Sequence, residues 1–220
     1  MHFQKTSLLF FLLLMLGGCI GSTKHTAMPG GCLKALQTGD RILVGVIPKL
    51  SANRSYQLYQ QLEQEFRQKG LAMAYVVEQE FDLASKGIKP NAAPDSVTLS
   101  QMRKLGYTHY LGLAVGNVAS AMMYERISAQ EHREIQQGYG AAETDDSKAT
   151  VHFKLYSTEE RKAIYNLATT TKMSGVTLPG KEYEEGHRNS HTVNLSTASL
   201  ATEKALKKGA RELMEKCKAN

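Results

Sequence analysis

Apolar and polar positions along the chain change period several times, and each change predicts an element. "RILVGVIP" (41–48) is a continuous, β-branched apolar run closed by proline, the pattern of a strand buried on both faces. The following "SANRSYQLYQQLEQEFRQKG" places Leu58, Leu62 and Phe66 four residues apart and stops at Gly70, which predicts an amphipathic helix with a glycine terminus. "LAMAYVVEQ" reads as a second strand. Residues 81–96, with Pro90 and Pro94, read as a loop, and "SVTLSQMRKLG" reads as a short helix ending at Gly106. "THYLGLAVGNVASAMM" is again apolar and strand-like. Strands alternating with helices imply right-handed crossovers and a sheet covered by helices.

The second half changes habit. Val151, Phe153 and Leu155 alternate with His152, Lys154 and Tyr156. After the polar "STEER", Ala163, Tyr165 and Leu167 repeat the alternation, so the stretch predicts an antiparallel hairpin with one face inward. Residues 174–197 are polar and contain Pro179, Gly180 and Gly186, the composition of a long exposed loop. "SLATEKALKKGARELMEKC" closes the chain as an amphipathic helix with Leu206, Ala210, Leu213 and Cys217 on its inward stripe. The expected fold is one α/β domain over 41–220. Its mixed sheet has parallel central strands, a C-terminal antiparallel hairpin and flanking helices. Val46 and Val115 are expected in the core beside Ile42, Val44, Tyr110 and Leu113.

The amino terminus fixes a compartment. The apolar run from Leu8 to Leu16 is nine residues, against about 20 needed to span hydrocarbon, and Lys5 precedes it. That is the anatomy of a secretory signal. The sequence Leu16-Gly17-Gly18-Cys19 that follows resembles the lipobox of bacterial lipoproteins. The resemblance implies removal of residues 1–18 and a diacylglycerol thioether on Cys19, which becomes the mature first residue. Ile20 stands where an aspartate commonly retains such proteins in the inner membrane, so the resemblance implies the periplasmic leaflet of the outer membrane. Residues 19–40, with Pro29 and Gly21, Gly30, Gly31 and Gly39, read as a flexible tether. With Cys19 acylated, Cys32 and Cys217 remain as an even pair in an oxidising compartment. They either bridge the two ends of the domain or stay as separate thiols.

Charge and candidate chemistry add little. The net charge of +6 becomes +5 without Lys5, and the basic residues are scattered with no aromatic-studded basic face. This argues against nucleic acid and suits an anionic surface such as phospholipid, lipopolysaccharide or cell-wall polymer. His187 and His191 are four apart behind Glu184 and Glu185, but Gly186 favours a loop and no cysteine or third histidine accompanies them, so no metal is expected. Gly112 and Gly116 lack the lysine and the strand-to-helix context of a phosphate loop. Glu143, Asp145 and Asp146, like Asp82 and Asp95, read as solvated. Nothing assembles a nucleophile, a base and its orienter, so the chain is expected to be no enzyme and to need no cofactor.

Beyond the anchor, "RILVGVIP", the helix and strand after it, "MRKLGYTHYLGLAVGNV", "VHFKLYSTEERKAIYNLAT" and the final Ala, Leu and Lys-rich helix resemble a group of bacterial envelope proteins. The group includes the peptidoglycan-synthase activator lipoproteins, the curli secretion channel and the amino-terminal domain of the Tol translocation protein. The likeness covers residues 41–173 and 197–217 as order and texture, and the glycine usual in the family's hairpin turn is missing from "STEER". It implies a lipid-anchored accessory protein that docks on an envelope enzyme or secretion assembly. A subunit of an oligomeric secretion channel and a cell-wall-active enzyme are the alternatives, and both a monomer and a ring fit the pattern. The loop "LPGKEYEEGHRNSH" offers Lys181, Tyr183 and Arg188 as partner contacts, with the loop at 81–96 as the second choice.

Overall fold

A computed structural model describes residues 21–27, 32, 35–48, 50–89, 93–119, 146–174, 176–182, 188–193 and 196–218. The strands are β1 (Gly21–Ala27), β2 (Arg41–Val44), β3 (Ala72–Tyr75), β4 (His109–Ala119), β5 (Asp146–Ser157), β6 (Lys162–Ser174), β7 (Val176–Glu182) and β8 (Arg188–Val193). The helices are α1 (Ala52–Arg67), α2 (Glu80–Ser85), α3 (Ser96–Lys104) and α4 (Ala198–Cys217). One sheet runs β1-β6-β5-β4-β2-β3, and β7 pairs with β8 in a second. β2 is parallel to both neighbours, and the other pairs are antiparallel. The fold is α/β, a mixed sheet with a parallel centre, an antiparallel β5–β6 hairpin and flanking helices. β2 lies between β4 and β3 with Ile42, Leu43 and Val44 fully buried, as its unbroken apolarity requires.

Local chemistry sets the helix limits. The Ser51 hydroxyl accepts from the Arg54 N–H, the Asp95 carboxylate from Thr98 and the Thr197 hydroxyl from Leu200, each satisfying an otherwise orphaned first-turn donor. Gly70 and Gly106 take φ of 73° and 84° just beyond α1 and α3.

β4, β5 and β6 outrun the short parallel strands. Val44 of β2 pairs with Leu111, and β4 then continues to Ala119. The six residues beyond Leu113 alone carry a ribbon about 20 Å past the compact end of the sheet. α4, at about 30 Å, is long enough to lie along one face of that ribbon. Ala201 meets Ala149 and Met173 near its start, and Leu206, Leu213 and Met214 join Phe66, Val151, Phe153 and Leu155 in the main core. Gly209 lets the helix approach: a Cβ there would strike the Phe153 ring and come within 2.7 Å of Thr169 Oγ1. On the other face α2 and α3 bury Leu43, Leu83, Leu99, Met102, Tyr110 and Tyr156. Their cover ends there, and the ribbon beyond shows that face exposed lysines.

Several expectations need correction. Residues 21–27 are no tether but the edge strand β1, bonded along its length to β6. Hydroxyl pairing replaces apolar alternation there: Thr23 Oγ1 lies 3.1 Å from Thr171 Oγ1, and His25 Nδ1 lies 3.1 Å from Thr169 Oγ1. Cys32 and Leu36 are also buried, the Leu36 N–H donates to the Cys217 carbonyl at 2.7 Å, and Cys32 and Cys217 are disulfide-bonded. Val46 is 45% exposed because β2 ends at Val44 and the chain leaves the sheet, and Val115 is only partly buried. The 81–96 stretch contains most of α2. The 174–197 stretch is largely the β7–β8 hairpin, where Pro179 is tolerated because both strands of a two-stranded sheet are edges.

Gly209→Ala, which in an ordinary exposed helix gains about 1 kcal/mol, is expected to cost about 1–3 kcal/mol in urea unfolding, because the added methyl overpacks against Phe153. Cys217→Ser opens a loop with a sequence separation of 185. It is expected to lower unfolding free energy by up to about 5 kcal/mol, an effect that dithiothreitol reproduces in the unmutated protein.

Candidate functional site

In open α/β sheets, ligands and partners gather beyond the carboxyl ends of the parallel strands. Here that position carries apolar surface. The Val76 N–H donates to the Val44 carbonyl at 3.0 Å, extending the β2–β3 register past Val44 and Tyr75. Val46 and Val77 therefore emerge at matching positions. Bonds from Gln79 N to the Tyr75 carbonyl and from Leu83 N to the Gln79 carbonyl carry helical turns into α2 and set Phe81 one turn after Val77. Val77 is 51% exposed and Phe81 85%, so register and turn set three exposed apolar side chains at one end of the sheet.

A rigid aromatic base stands beside this group. The Tyr59 and Tyr75 rings stack at 4.7 Å, and Tyr56 lies within 6.1 Å of both. The Tyr56 hydroxyl donates to Glu78 Oε1 at 3.1 Å, and that bond with the Glu78 charge raises its pKa. Ser55 is fully buried; its Oγ accepts from the Ile47 N–H and lies 2.7 Å from the Tyr75 hydroxyl. That hydroxyl is committed to holding α1 against the strand ends. The arrangement presents a stiff hydrophobic contact with a polar rim, the make-up of a protein-docking patch.

The expected site residues fall elsewhere. Cys19 and Tyr183 lie outside the described residues. Lys181 is on β7 and Arg188 opens β8 opposite Glu182, so the hairpin brings those two positions together near its turn. His191 is on β8 and His187 lies outside the described residues; among those described, no three His, Cys, Asp or Glu side chains group as metal ligands. Phe81 was legible only as a lone aromatic in the polar "EQEFDLASKG", whose acidic flanks disguise an apolar contact as a solvated loop.

At the opposite end, where β2 and β4 begin, Asp40, Tyr107, Thr108, His109, Thr158 and Glu160 help line a polar cleft of about 410 Å³. His109 Nδ1 lies 3.0 Å from Thr108 Oγ1 and 3.7 Å from Asp40 Oδ2. Thr108 also bonds the backbone of Arg41, and the Thr158 hydroxyl donates to the Tyr107 and Thr108 carbonyls. These hydroxyls are held by the backbone and the group ties β2, β4 and the β5–β6 turn together. Burial lowers the His109 pKa from the ordinary 6.5, against the opposing pull of Asp40. Below pH 6.5 the unfolded chain therefore takes up a proton that the folded one resists, and stability falls as pH falls. Thermal melting at pH 7.5 and 5.5 is expected to show a larger loss for the unmutated protein than for His109→Gln, with a slope no steeper than about 1.4 kcal/mol per pH unit.

No protein family and no curated protein matches the chain. Among solved structures, the PelC dodecamer from Paraburkholderia phytofirmans is similar at 14% identity and a TM-score of 0.45, covering 88% of this chain and 97% of that one. The lipoprotein GNA1162 from Neisseria meningitidis is 12% identical with a TM-score of 0.39, over 61% of this chain and 84% of its own. The hypothetical protein CT253 from Chlamydia trachomatis is 8% identical with a TM-score of 0.36, over 80% and 94%. Likenesses this remote transfer neither assembly nor activity to this chain.

Proposed function

We propose that the chain is a lipid-anchored accessory protein of the bacterial envelope, held on the periplasmic face of the outer membrane, which docks on an envelope enzyme or secretion assembly and performs no chemistry of its own. The observation that carries this reading is the exposed Val46–Val77–Phe81 group at the ends of the parallel strands. Large aromatic side chains set among apolar neighbours are enriched at the centres of protein interfaces. The lipobox-like sequence before β1 supplies the anchor. The β7–β8 hairpin, with Lys181 and Arg188, is proposed as a second, polar contact.

The test is capture from detergent-solubilised envelopes, followed by titration with the purified partner. Phe81→Ser is expected to weaken partner binding at least ~30-fold, equivalent to about 2 kcal/mol, with an unchanged melting temperature. A Lys181→Ala, Tyr183→Ala, Arg188→Ala variant is expected to weaken it less. Full binding by Phe81→Ser would overturn the patch as the docking site. Light scattering that shows an oligomer dissolved by the same substitution would instead make the patch a contact between copies of this chain.

A further inference from the structure

α4 keeps one face of the long ribbon dry, and the other face is basic and, among the described residues, without a covering helix. On that face β5 presents Lys148, His152 and Lys154, β6 presents Lys172 and β1 presents Lys24, all exposed. The register places Lys148 directly opposite Lys172, and Lys24 opposite Thr170, two positions along from Lys172. Three ammonium groups thus sit on three adjacent strands at the ribbon's tip. Like charges facing each other across a ladder oppose pairing, and among the described residues only Lys172 of the three has an acid to offset it. On β5, β6 and β1 the one acid of this face is Asp146, 2.7 Å from Lys172; Lys24 and Lys148 have no ion pair among the described residues.

The position of the tip says what covers it. β1 opens at Gly21, which pairs with Met173 in the row next to Ser22 and Lys172. Cys19 is two residues before Gly21, a reach of at most about 7 Å. Lys172 and Lys148 lie one and two strands from β1, about 5–10 Å across the ladder. An acyl chain on Cys19 therefore brings this row to the headgroup layer, inside the distance over which anionic lipid attracts a cation.

We propose that Lys24, Lys148 and Lys172 form a docking surface for anionic phospholipid headgroups. This rests on the lipid-anchor reading and adds to it. Acyl chains alone hold the protein to the membrane without fixing its attitude, whereas three ammonium contacts at one end of the sheet stand the domain in a single orientation. That orientation sets the height of the Val46–Val77–Phe81 group above the bilayer. An extended acidic polysaccharide would instead favour the whole length of the face, including His152 and Lys154.

The mature chain with Cys19→Ser, which has no acyl group and keeps every described residue, provides the test by sedimentation with vesicles. It is expected to bind phosphatidylglycerol vesicles, to release them as salt rises, and to ignore phosphatidylcholine. Substituting Lys24→Gln, Lys148→Gln and Lys172→Gln together is expected to weaken binding about a hundredfold. Substituting the exposed Lys69, Lys86 and Lys104 to Gln, remote from this face, is expected to leave it unchanged. Equal binding by the two triple variants, binding to neutral vesicles, or retention by a soluble polyuronate but not by vesicles would overturn the proposal. Palmitate labelling in cells separates the two readings: no label on Cys19, with vesicle binding intact, removes the anchor and leaves the docking surface.

Discussion

The constraint on which this structure turns is the contact of α4 with one face of a ribbon that its shorter neighbours cannot support. β5 and β6 extend well past β2 and β3, and a projecting antiparallel ribbon has no stability of its own without a covered face. α4 supplies that cover. Burying each leucine or phenylalanine of the seam contributes about 1.5–3 kcal/mol, and the seam closes only because Gly209 lets the helix axis approach Phe153 and Thr169. At the far end the Cys32–Cys217 bridge holds the last turn against the segment that leads into β2. Because the helix covers a single face, Lys24, Lys148, Lys154 and Lys172 lie on the other one, while the covered face takes small hydroxyls such as Ser147, Thr169 and Thr171.

The parallel centre was legible because its signals are redundant. Ile42 and Val44 of β2 are apolar on one face and Leu43 on the other, and the glycines after α1 and α3 mark where those helices stop. Regions where stability comes from hydroxyls, edges or long-range pairing were not legible. β1 reads "GSTKHTA", which has no apolar period, and it is a strand only because Thr169 and Thr171 of β6 offer hydrogen-bonding partners some 145 residues away. The "STEER" turn lacks the glycine of similar hairpins. Arg161 takes the left-handed conformation at φ 55°, and the Ser157 and Thr158 hydroxyls brace the turn through Glu160 N and the carbonyls at the start of β4. A run of apolar letters does not show where its strand stops, so the pattern predicts Val46 in the core while the strand ends at Val44.

The candidate site is hidden in the sequence for a related reason. Sequence reasoning looks for polar residues in loops when it looks for partners, and for apolar residues in elements when it looks for cores. Val46, Val77 and Phe81 break that division. They are apolar residues just past β2 and β3 and in the first turn of α2, set at one end of the sheet by the β2–β3 register and the helical turn after it, and each taken singly is an unremarkable surface side chain.

Replacing the expected tether by a paired strand changes what the proposed anchor can accomplish. A flexible segment of about 20 residues lets a domain sample a volume tens of ångströms across, and its partner meets it at an effective concentration averaged over that volume. With β1 fastened to β6 from Gly21 onward, the chain has no such freedom, and the sheet itself becomes the spacer. The apolar group then stands roughly 20 Å from the anchored end along β4. A rigid spacer gives high local concentration to a partner whose own contact lies at that height, and none to one whose contact lies elsewhere. Selectivity on the proposed reading therefore comes from geometry before it comes from side-chain contacts, which suits a domain whose docking surface is a few apolar residues without a chemical signature.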